Sequence, residues 1–425
     1  MSNIIEELKW RGLLQDIMPG TEELLMKEKI TVYAGFDPTS DSLTIGNMVP
    51  IMLLMHLQRA GHKPLALVGG ATGMVGDPSG KSTERSLMSI EQIEFNLKGI
   101  QKQLEKFLDF KASENAAEIV NNFDWFKTFS FLDFIRDAGK HITVSYMMSK
   151  DSVKSRLEGG MSFTEFSYQL IQGYDFYHLY NIKNCRLQVG GSDQWGNITT
   201  GTELIRRKAG GEGYAFTAPL ITKSDGTKFG KSEGNNVWLD AAKTSPYKFY
   251  QFWLNNSDED AKKFIKIFTF LTKEEIEKLT QEHDAAPHLR ILQKELATQF
   301  TTRIHGKEAL DLAIQTSEIL FGKSTKEALL TLNNEQIEEV FEGVPQFTIA
   351  KSELSSSLSM IDFLSEKTGI FASKGEAKRS LQENAISINL EKVKMDSFAS
   401  ADLLINDAII LVKKGKNNYY LVKVK

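Results

Sequence analysis

The sequence predicts an α/β protein: a doubly wound parallel sheet, then an all-α segment, then a small α+β module. Three observations predict this. The first 70 residues alternate strand-like and helix-like apolar patterns, the texture turns helical from Ser245, and the charge changes near residue 351. Residues 351–425 carry 12 Lys+Arg against 9 Asp+Glu, a net +3, which leaves −7 on residues 1–350.

Ile30–Phe36 is a β-branched and aromatic run with Gly35 near its end, and Leu43–Ala60 is apolar at helical spacing up to Gly61. Pro64–Val68 is a second buried-type strand running into Gly69-Gly70. Strand, helix and strand in one unit imply a parallel pair with a right-handed crossover. Ligands of such sheets sit at the carboxyl ends of the strands, where Tyr33, Gly35, Asp37 and the Gly69–Gly80 loop gather. Residues 115–185 are rich in aromatics, among them Phe123, Trp125, Phe126, Phe134 and Phe166. Two readings stand: an insertion packing its own core, or a subunit interface, where aromatics are enriched. Arg186–Val189 is a further strand.

Ser245-Pro246 supplies an N-cap and an N1 proline before Tyr247–Leu254. Leu289, Leu292, Leu296, Phe300 and Ile304 form one apolar face closed by Gly306, and Lys307–Phe321 is a second amphipathic helix. The Ser-rich stretch Lys351–Ser359 follows the acidic Glu335–Glu342, which marks a linker. Beyond it, Ser373–Gln382 is helical, and Ala385–Ile388, Ala408–Val412 and Tyr419–Val424 are strands. The expected domains are 1–222 for the sheet, with the aromatic insertion, and 223–244 for a connecting loop. Residues 245–325 then form the helices, 326–350 the linker and 351–425 the C-terminal module.

The chain has 425 residues, 41% of them hydrophobic and 25% charged, with a net charge of −4. That excludes disordered, collagenous and disulfide-framework classes. The single cysteine, Cys185, fits a reducing compartment; with no apolar run of about 18 residues and a charged N-terminus, a cytoplasmic location without membrane contact is expected.

The Gly69–Ser82 segment fits neither the phosphate-loop pattern, since Val75 stands where its first glycine belongs, nor the dinucleotide spacing. Five glycines with Asp77, Lys81 and Arg85 still suit a backbone packed against a small anionic ligand. Thr39–Asn47 leads into the first long helix, whose exposed N–H groups suit phosphate; Ser, Thr and Asp there also act as plain caps. Lys223–Asn235 holds three lysines and three glycines in 13 residues, either a solvated loop or a mobile phosphate-gripping one. Gly190–Asn197 sets Asp193 and Gln194 at a strand end, suited to ribose hydroxyls and a polar substrate. Tyr168, Gln172 and Asp175 recur at helical-turn spacing, so all three can face one pocket. No metal-ligand cluster, GxSxG elbow or supported cysteine nucleophile is present in the sequence.

In this order and spacing the segments resemble the bacterial tyrosyl-tRNA synthetases, a class I aminoacyl-tRNA synthetase family, over essentially the whole chain. Thr39–Asn47 stands at the family's HIGH signature and Lys228-Phe-Gly-Lys-Ser232 at its KMSKS signature. Tyr33–Pro38, Val68–Gly73, Gly76–Ser79, Ser162–Tyr168, Gln172–Asp175 and Gly190–Asn197 are family segments, and Ala372–Arg379 is similar to an S4-type RNA-binding motif. The resemblance implies a Rossmann-like catalytic domain, an α-helical anticodon-side domain and an S4-like domain. It also implies a homodimer that charges tRNA(Tyr) with L-tyrosine. ATP would be a substrate carrying its own Mg²⁺, with no protein-bound metal.

Roles carry over by position. Tyr33 and Asp175 would bond the tyrosine phenol; Tyr168, Gln172 and Asp77 its ammonium; Gln194 would lie near its carboxylate. Gly35, Asp37, Gly46, Gly191, Asp193 and Ser232 would approach the nucleotide. Thr39, Thr44, Asn47, Lys81, Arg85, Lys228 and Lys231 would act on the phosphates. Arg206, Arg207 and Lys208 would meet the acceptor stem, and Lys374, Lys378 and Arg379 would contact RNA from the C-terminal module. The family's two signature histidines are Thr44 and Asn47 here, which implies an active enzyme with a slower activation step that Thr44→His would quicken. A synthetase-like RNA-binding protein with weakened catalysis stays open at this point.

Overall fold

The computed structural model describes residues 3–79, 87–112, 114–151, 153–154, 160–227, 229–232, 235–321, 326–342, 344–415 and 418–425. Lys81, Arg85 and Lys228 lie outside these residues. The chain forms two compact units, residues 1–304 and 305–425.

The first unit is built on five parallel strands: β1 (Thr31–Phe36), β2 (Lys63–Val68), β3 (Glu118–Asn121), β4 (Cys185–Gly191) and β5 (Tyr214–Ala218). Their order is β3-β2-β1-β4-β5, with Tyr33 opposite Leu65 on one side and Gln188 on the other. The order reverses between β1 and β4, and a crevice at the carboxyl ends of those two strands follows from that topology. β2 is buried along almost its whole length, as a strand covered on both faces should be. After β5 come two short strands, β6 (Lys231–Ser232) and β7 (Asn235–Asn236), paired antiparallel with each other.

Helix α1 spans Met48–Arg59 and is apolar nearly all round. It starts later than the predicted Leu43: Ile45–Asn47 is a single 3₁₀ turn, and Leu43 and Thr44 are extended. The cause is backbone pairing. Ile45 N–H donates to Val237 O at 2.9 Å and Leu239 N–H to Leu43 O at 2.9 Å, so this stretch serves as a strand edge before it can coil.

Residues 115–185 are not an insertion as a block. Glu118–Asn121 is the edge strand β3 of the central sheet, and helix α2 (Phe163–Lys183) packs against helix α3 (Trp195–Ala209). Tyr174 of α2 gathers Phe126, Phe129 and Phe134, with ring centroids 5.2–5.8 Å apart, so the aromatics do pack on each other. Phe131, Leu132, Val144 and Phe163 remain exposed.

Helix α4 (Pro246–Leu254) starts on its Ser245 cap, whose hydroxyl accepts the Lys248 N–H. Helices α5 (Asp258–Phe268) and α6 (Ile291–His305) follow, with a further helix at Lys273–Ala285 between them. Leu292, Leu296, Phe300 and Ile304 form the buried face of α6; Leu289 sits in a preceding 3₁₀ turn and is exposed. Trp253 of α4 lies 4.6 Å from the Phe300 ring, which ties α4 to α6.

The second unit begins with helix α7 (Lys307–Phe321). The stretch 326–350, predicted as a linker, is folded: helices α8 (Lys326–Leu330) and α9 (Asn334–Val340) precede β8 (Gln346–Ile349). Four more strands follow, β9 (Ile386–Ile388), β10 (Glu391–Lys392), β11 (Ile409–Lys414) and β12 (Asn418–Val424). The five make one sheet ordered β10-β9-β11-β12-β8, in which β8 pairs in parallel with β12. Helix α10 (Lys374–Gln382) adds Ala377 and Leu381 to a core shared with Phe363, Phe371 and Val412. Ile337, Val340 and Phe341 form a second core with Leu411 and Leu421. The acidic composition of α9 hid these three apolar residues at helical spacing.

Candidate functional site

A cavity of about 570 Å³ opens where β1 and β4 end. Tyr33, third residue of β1, is 1% exposed, and its ring meets Phe176 edge-on at 5.4 Å. The residue lines the cavity, and its hydroxyl has no hydrogen-bond partner among the described residues. Asp175, on α2, is also 1% exposed and lines the same cavity. Its Oδ1 accepts the Trp125 Nε1–H at 2.9 Å and its Oδ2 accepts from Asn122 Nδ2 at 3.1 Å. Burial pushes the Asp175 carboxyl up to about 8, against those two donors, and the charge of Asp37 adds to the rise.

The polar chain continues beyond Asn122. Its Oδ1 accepts the Ala71 N–H at 2.6 Å, so its Nδ2 faces Asp175 and, at 3.1 Å, the Thr72 hydroxyl. Thr72 donates to Asp37 Oδ1 and Tyr168 donates to Asp37 Oδ2, each at 2.7 Å. Tyr168, predicted for the amino-acid ammonium, is thus engaged with Asp37. Burial and the nearby Asp37 and Asp77 charges hold the Tyr168 hydroxyl well above its ordinary range, so it stays a donor. Asp77 accepts from Gln194 Nε2 at 2.7 Å and from the Ser79 N–H at 2.9 Å. The Gln172 and Gln188 Oε1 atoms are buried without a partner among the described residues and belong to side chains of the cavity wall. Three carboxylates on that wall, Asp37, Asp77 and Asp193, suit a ligand with a cationic group.

Thr39, Gly35, Gly46, Asn47 and Gly191 reach the cavity, but Thr44 does not line it. Thr44 bridges antiparallel to Trp238, in the segment that follows the lysine-rich loop. Part of that loop is the β6–β7 ladder, with Lys231 opposite Asn236. Phe229 is buried, lines the cavity and inserts among Phe252, Trp253, Phe264 and Phe268. Gly230 has φ +87°, and a Cβ there would stand 3.1 Å from Gly46 N, so the loop backbone lies directly on the 3₁₀ turn.

The predicted RNA-facing residues lie elsewhere. Arg206 and Arg207, in the last turn of α3, both bond Glu203, whose carboxyl they hold down to about 2, and Lys208 pairs with Asp137. In the second unit Lys374 pairs with Asp362 and Glu366, while Lys378 and Arg379 lie on α10. Among the described residues no group of three or more His, Cys, Asp or Glu is arranged to hold a metal ion, and no helix is long and apolar enough to cross a membrane.

Sequence reasoning missed Asn122, Thr72 and Gln188, since an isolated polar residue in or after a strand has no periodicity to betray its burial. Trp125 was visible only as one aromatic among many. Phe229 had a signal: one large apolar residue in an otherwise polar loop needs somewhere to go.

Residues 25–322 match the model for "tRNA synthetases class I (W and Y)". The chain belongs to that family. Residues 336–422 match the "Tyrosine--tRNA ligase SYY-like C-terminal domain", so this match begins in α9, within the stretch predicted as a linker. The chain is 61% identical to the tyrosine–tRNA ligase of Flavobacterium johnsoniae and 60% to that of Cytophaga hutchinsonii, over 100% of each chain in both cases. Among solved structures, a C-terminally truncated mitochondrial tyrosyl-tRNA synthetase of Aspergillus nidulans is 31% identical with a TM-score of 0.68. That match covers 76% of this chain and 95% of the Aspergillus one.

Proposed function

We propose that the chain is a tyrosine–tRNA ligase. It joins L-tyrosine to ATP as tyrosyl-adenylate, with release of pyrophosphate, then passes the tyrosyl group to the 3′-terminal adenosine of tRNA(Tyr). The observation that carries the substrate choice is the pair Tyr33 and Asp175: a buried hydroxyl without a partner among the described residues and a buried carboxyl share one cavity wall. A phenol bonds both. A phenyl ring leaves the Tyr33 hydroxyl unpaired, which costs about 1–3 kcal/mol. Tyr168, Gln172 and Asp77 hold the ammonium and Gln194 lies near the carboxylate.

The substrate carboxylate is already ionised at neutral pH, so one of its oxygens attacks the α-phosphorus without a general base. The bond to the pyrophosphate oxygen breaks, and Mg²⁺ arrives with ATP. The protein's part is to place donors where charge builds on the phosphoryl oxygens. Thr39, Asn47, Lys81, Arg85, Lys228 and Lys231 fill that role, while Gly35, Gly46, Gly191, Asp193 and Ser232 pack against the nucleoside, with Asp37 linking the two ends. Because Gly230 sits on Gly46 in a left-handed conformation, Gly230→Ala is expected to slow adenylate formation about tenfold in single-turnover assays.

Arg206, Arg207 and Lys208 hold the acceptor stem; their three charges outnumber Glu203 and Asp137 and leave a positive excess for phosphate. Lys374, Lys378 and Arg379 add phosphate contacts. A second copy docks on the aromatic-rich region 115–185, where Phe131, Leu132, Val144 and Phe163 are exposed, giving a homodimer. ATP–pyrophosphate exchange with tyrosine, tryptophan and phenylalanine supplied in turn tests the reading. Exchange with tyrosine alone, followed by charging of tRNA(Tyr), is expected; exchange with tryptophan in place of tyrosine overturns it.

A further inference from the structure

We infer that Thr44 is a positioning residue: it does not touch ATP but fixes which end of the Asn47 carboxamide faces the nucleotide. This rests on the ligase reading above. Asn47 Oδ1 accepts two hydrogen bonds from the same residue, one from the Thr44 backbone N–H at 2.9 Å and one from its hydroxyl at 3.0 Å. A backbone N–H only donates, so the atom facing it has to be the carboxamide oxygen. The Nδ2 end therefore points away from Thr44. Asn47 lines the cavity and Thr44 does not, so the donor end is the one available to a ligand.

Thr44 is itself anchored. Its backbone bridges Trp238. On one side of it the Ile45 N–H donates to Val237 O, and on the other Leu43 O accepts the Leu239 N–H, each at 2.9 Å. The pair is thus braced by the segment that follows the lysine-rich loop. An unbraced carboxamide turns over readily and would present its oxygen to the phosphates about as well as its N–H₂, which repels developing negative charge. A braced one offers a neutral donor with no reorganisation as the reaction proceeds. Two residues here act as one donor, and a histidine at 44 would keep the backbone N–H but lose the hydroxyl half of that brace. This assignment predicts the opposite of the sequence-based expectation that Thr44→His quickens activation.

A double-mutant cycle in the intact protein, read by tyrosine-dependent ATP–pyrophosphate exchange, tests the assignment. Thr44→Val is expected to lower kcat about three- to tenfold with KM for tyrosine unchanged, and Thr44→Ser to restore most of the rate. In an Asn47→Ala background, Thr44→Val is expected to cost less than about twofold more, because there is no carboxamide left to position. Thr44→His is expected to be slower than wild type. The assignment is overturned if Thr44→Val has no effect, if it costs the same factor with and without the Asn47 carboxamide, or if Thr44→His is faster. A wild-type protein with no tyrosine-dependent exchange overturns the ligase reading and this inference together, so the two failures are distinguishable.

Discussion

Asp175→Asn is expected to lower kcat/KM for tyrosine about 10²-fold in ATP–pyrophosphate exchange and to narrow the preference for tyrosine over phenylalanine. The Asp175 carboxyl takes Trp125 on one oxygen and Asn122 on the other, and both partners only donate through these atoms. Asparagine has one acceptor. Whichever way it turns, its N–H₂ meets a donor, and the group meant for the phenol is displaced. Losing that hydrogen bond and leaving the buried phenol unpaired costs about 3 kcal/mol, which is the expected factor. An unchanged ratio of tyrosine to phenylalanine activation would show that the phenol is recognised elsewhere.

The same carboxyl carries a signature in stability. Its pKa in the folded chain is raised to about 8 by burial, while in the unfolded chain it titrates near its ordinary value of 3.8. Between those values the folded state holds a proton that the unfolded state has lost. Stability therefore falls as pH rises through that window, and the cost of the buried charge is fully present above about pH 8. Asp175→Asn has no proton to lose. The difference in midpoint between wild type and variant, measured without substrate in denaturant titrations, is expected to move in favour of the variant from about pH 5 to about pH 9. A difference independent of pH would mean that Asp175 is ionised throughout.

What could be read from the sequence followed from periodicity and punctuation. Thr31–Phe36, Met48–Arg59 and Lys63–Val68 form the parallel unit that the apolar spacing predicts, and Ser245-Pro246 caps its helix as those two residues dictate. Residues named for the amino acid (Tyr33, Asp77, Tyr168, Gln172, Asp175 and Gln194) and for the nucleotide (Gly35, Asp37, Thr39, Gly46, Asn47, Gly191 and Asp193) meet in one cavity. They do so because each sits near the carboxyl end of a strand, in a loop beyond one, or on α2. The failures have a common cause: long-range pairing. Leu43 and Thr44 look like the start of a helix, yet partners almost 200 residues away make them a strand edge. Gln346–Ile349 is four residues beside an acidic helix, and only its register on Leu421–Val424 makes it a strand. Asn122 is invisible for the same reason, since Ala71, Thr72 and Asp175, which it bonds, come from other segments.

Phe229→Ala is expected to slow adenylate formation about 10- to 100-fold while leaving KM for tyrosine nearly unchanged. Phe229 stacks on Phe268 at 5.0 Å with 16° between the rings, lies 4.8 Å from Phe264, and touches Phe252 and Trp253 at 5.9 Å. It stands between Lys228 and Lys231 in the sequence, so this aromatic socket moors the segment proposed to grip the pyrophosphate. Truncating a buried phenylalanine costs about 3–5 kcal/mol when the whole fold bears it. Here the loss falls first on the docked population of a short loop rather than on the sheet, because the loop can leave its socket without unfolding the rest. Tyr33 and Asp175 belong to β1 and α2 and keep their geometry, which is why kcat and KM should part company. Phe229→Leu, which refills most of the socket, is expected to recover most of the rate. A parallel rise in KM for tyrosine, or no recovery by leucine, would mean that the ring supports the cavity itself and not the mooring of the loop.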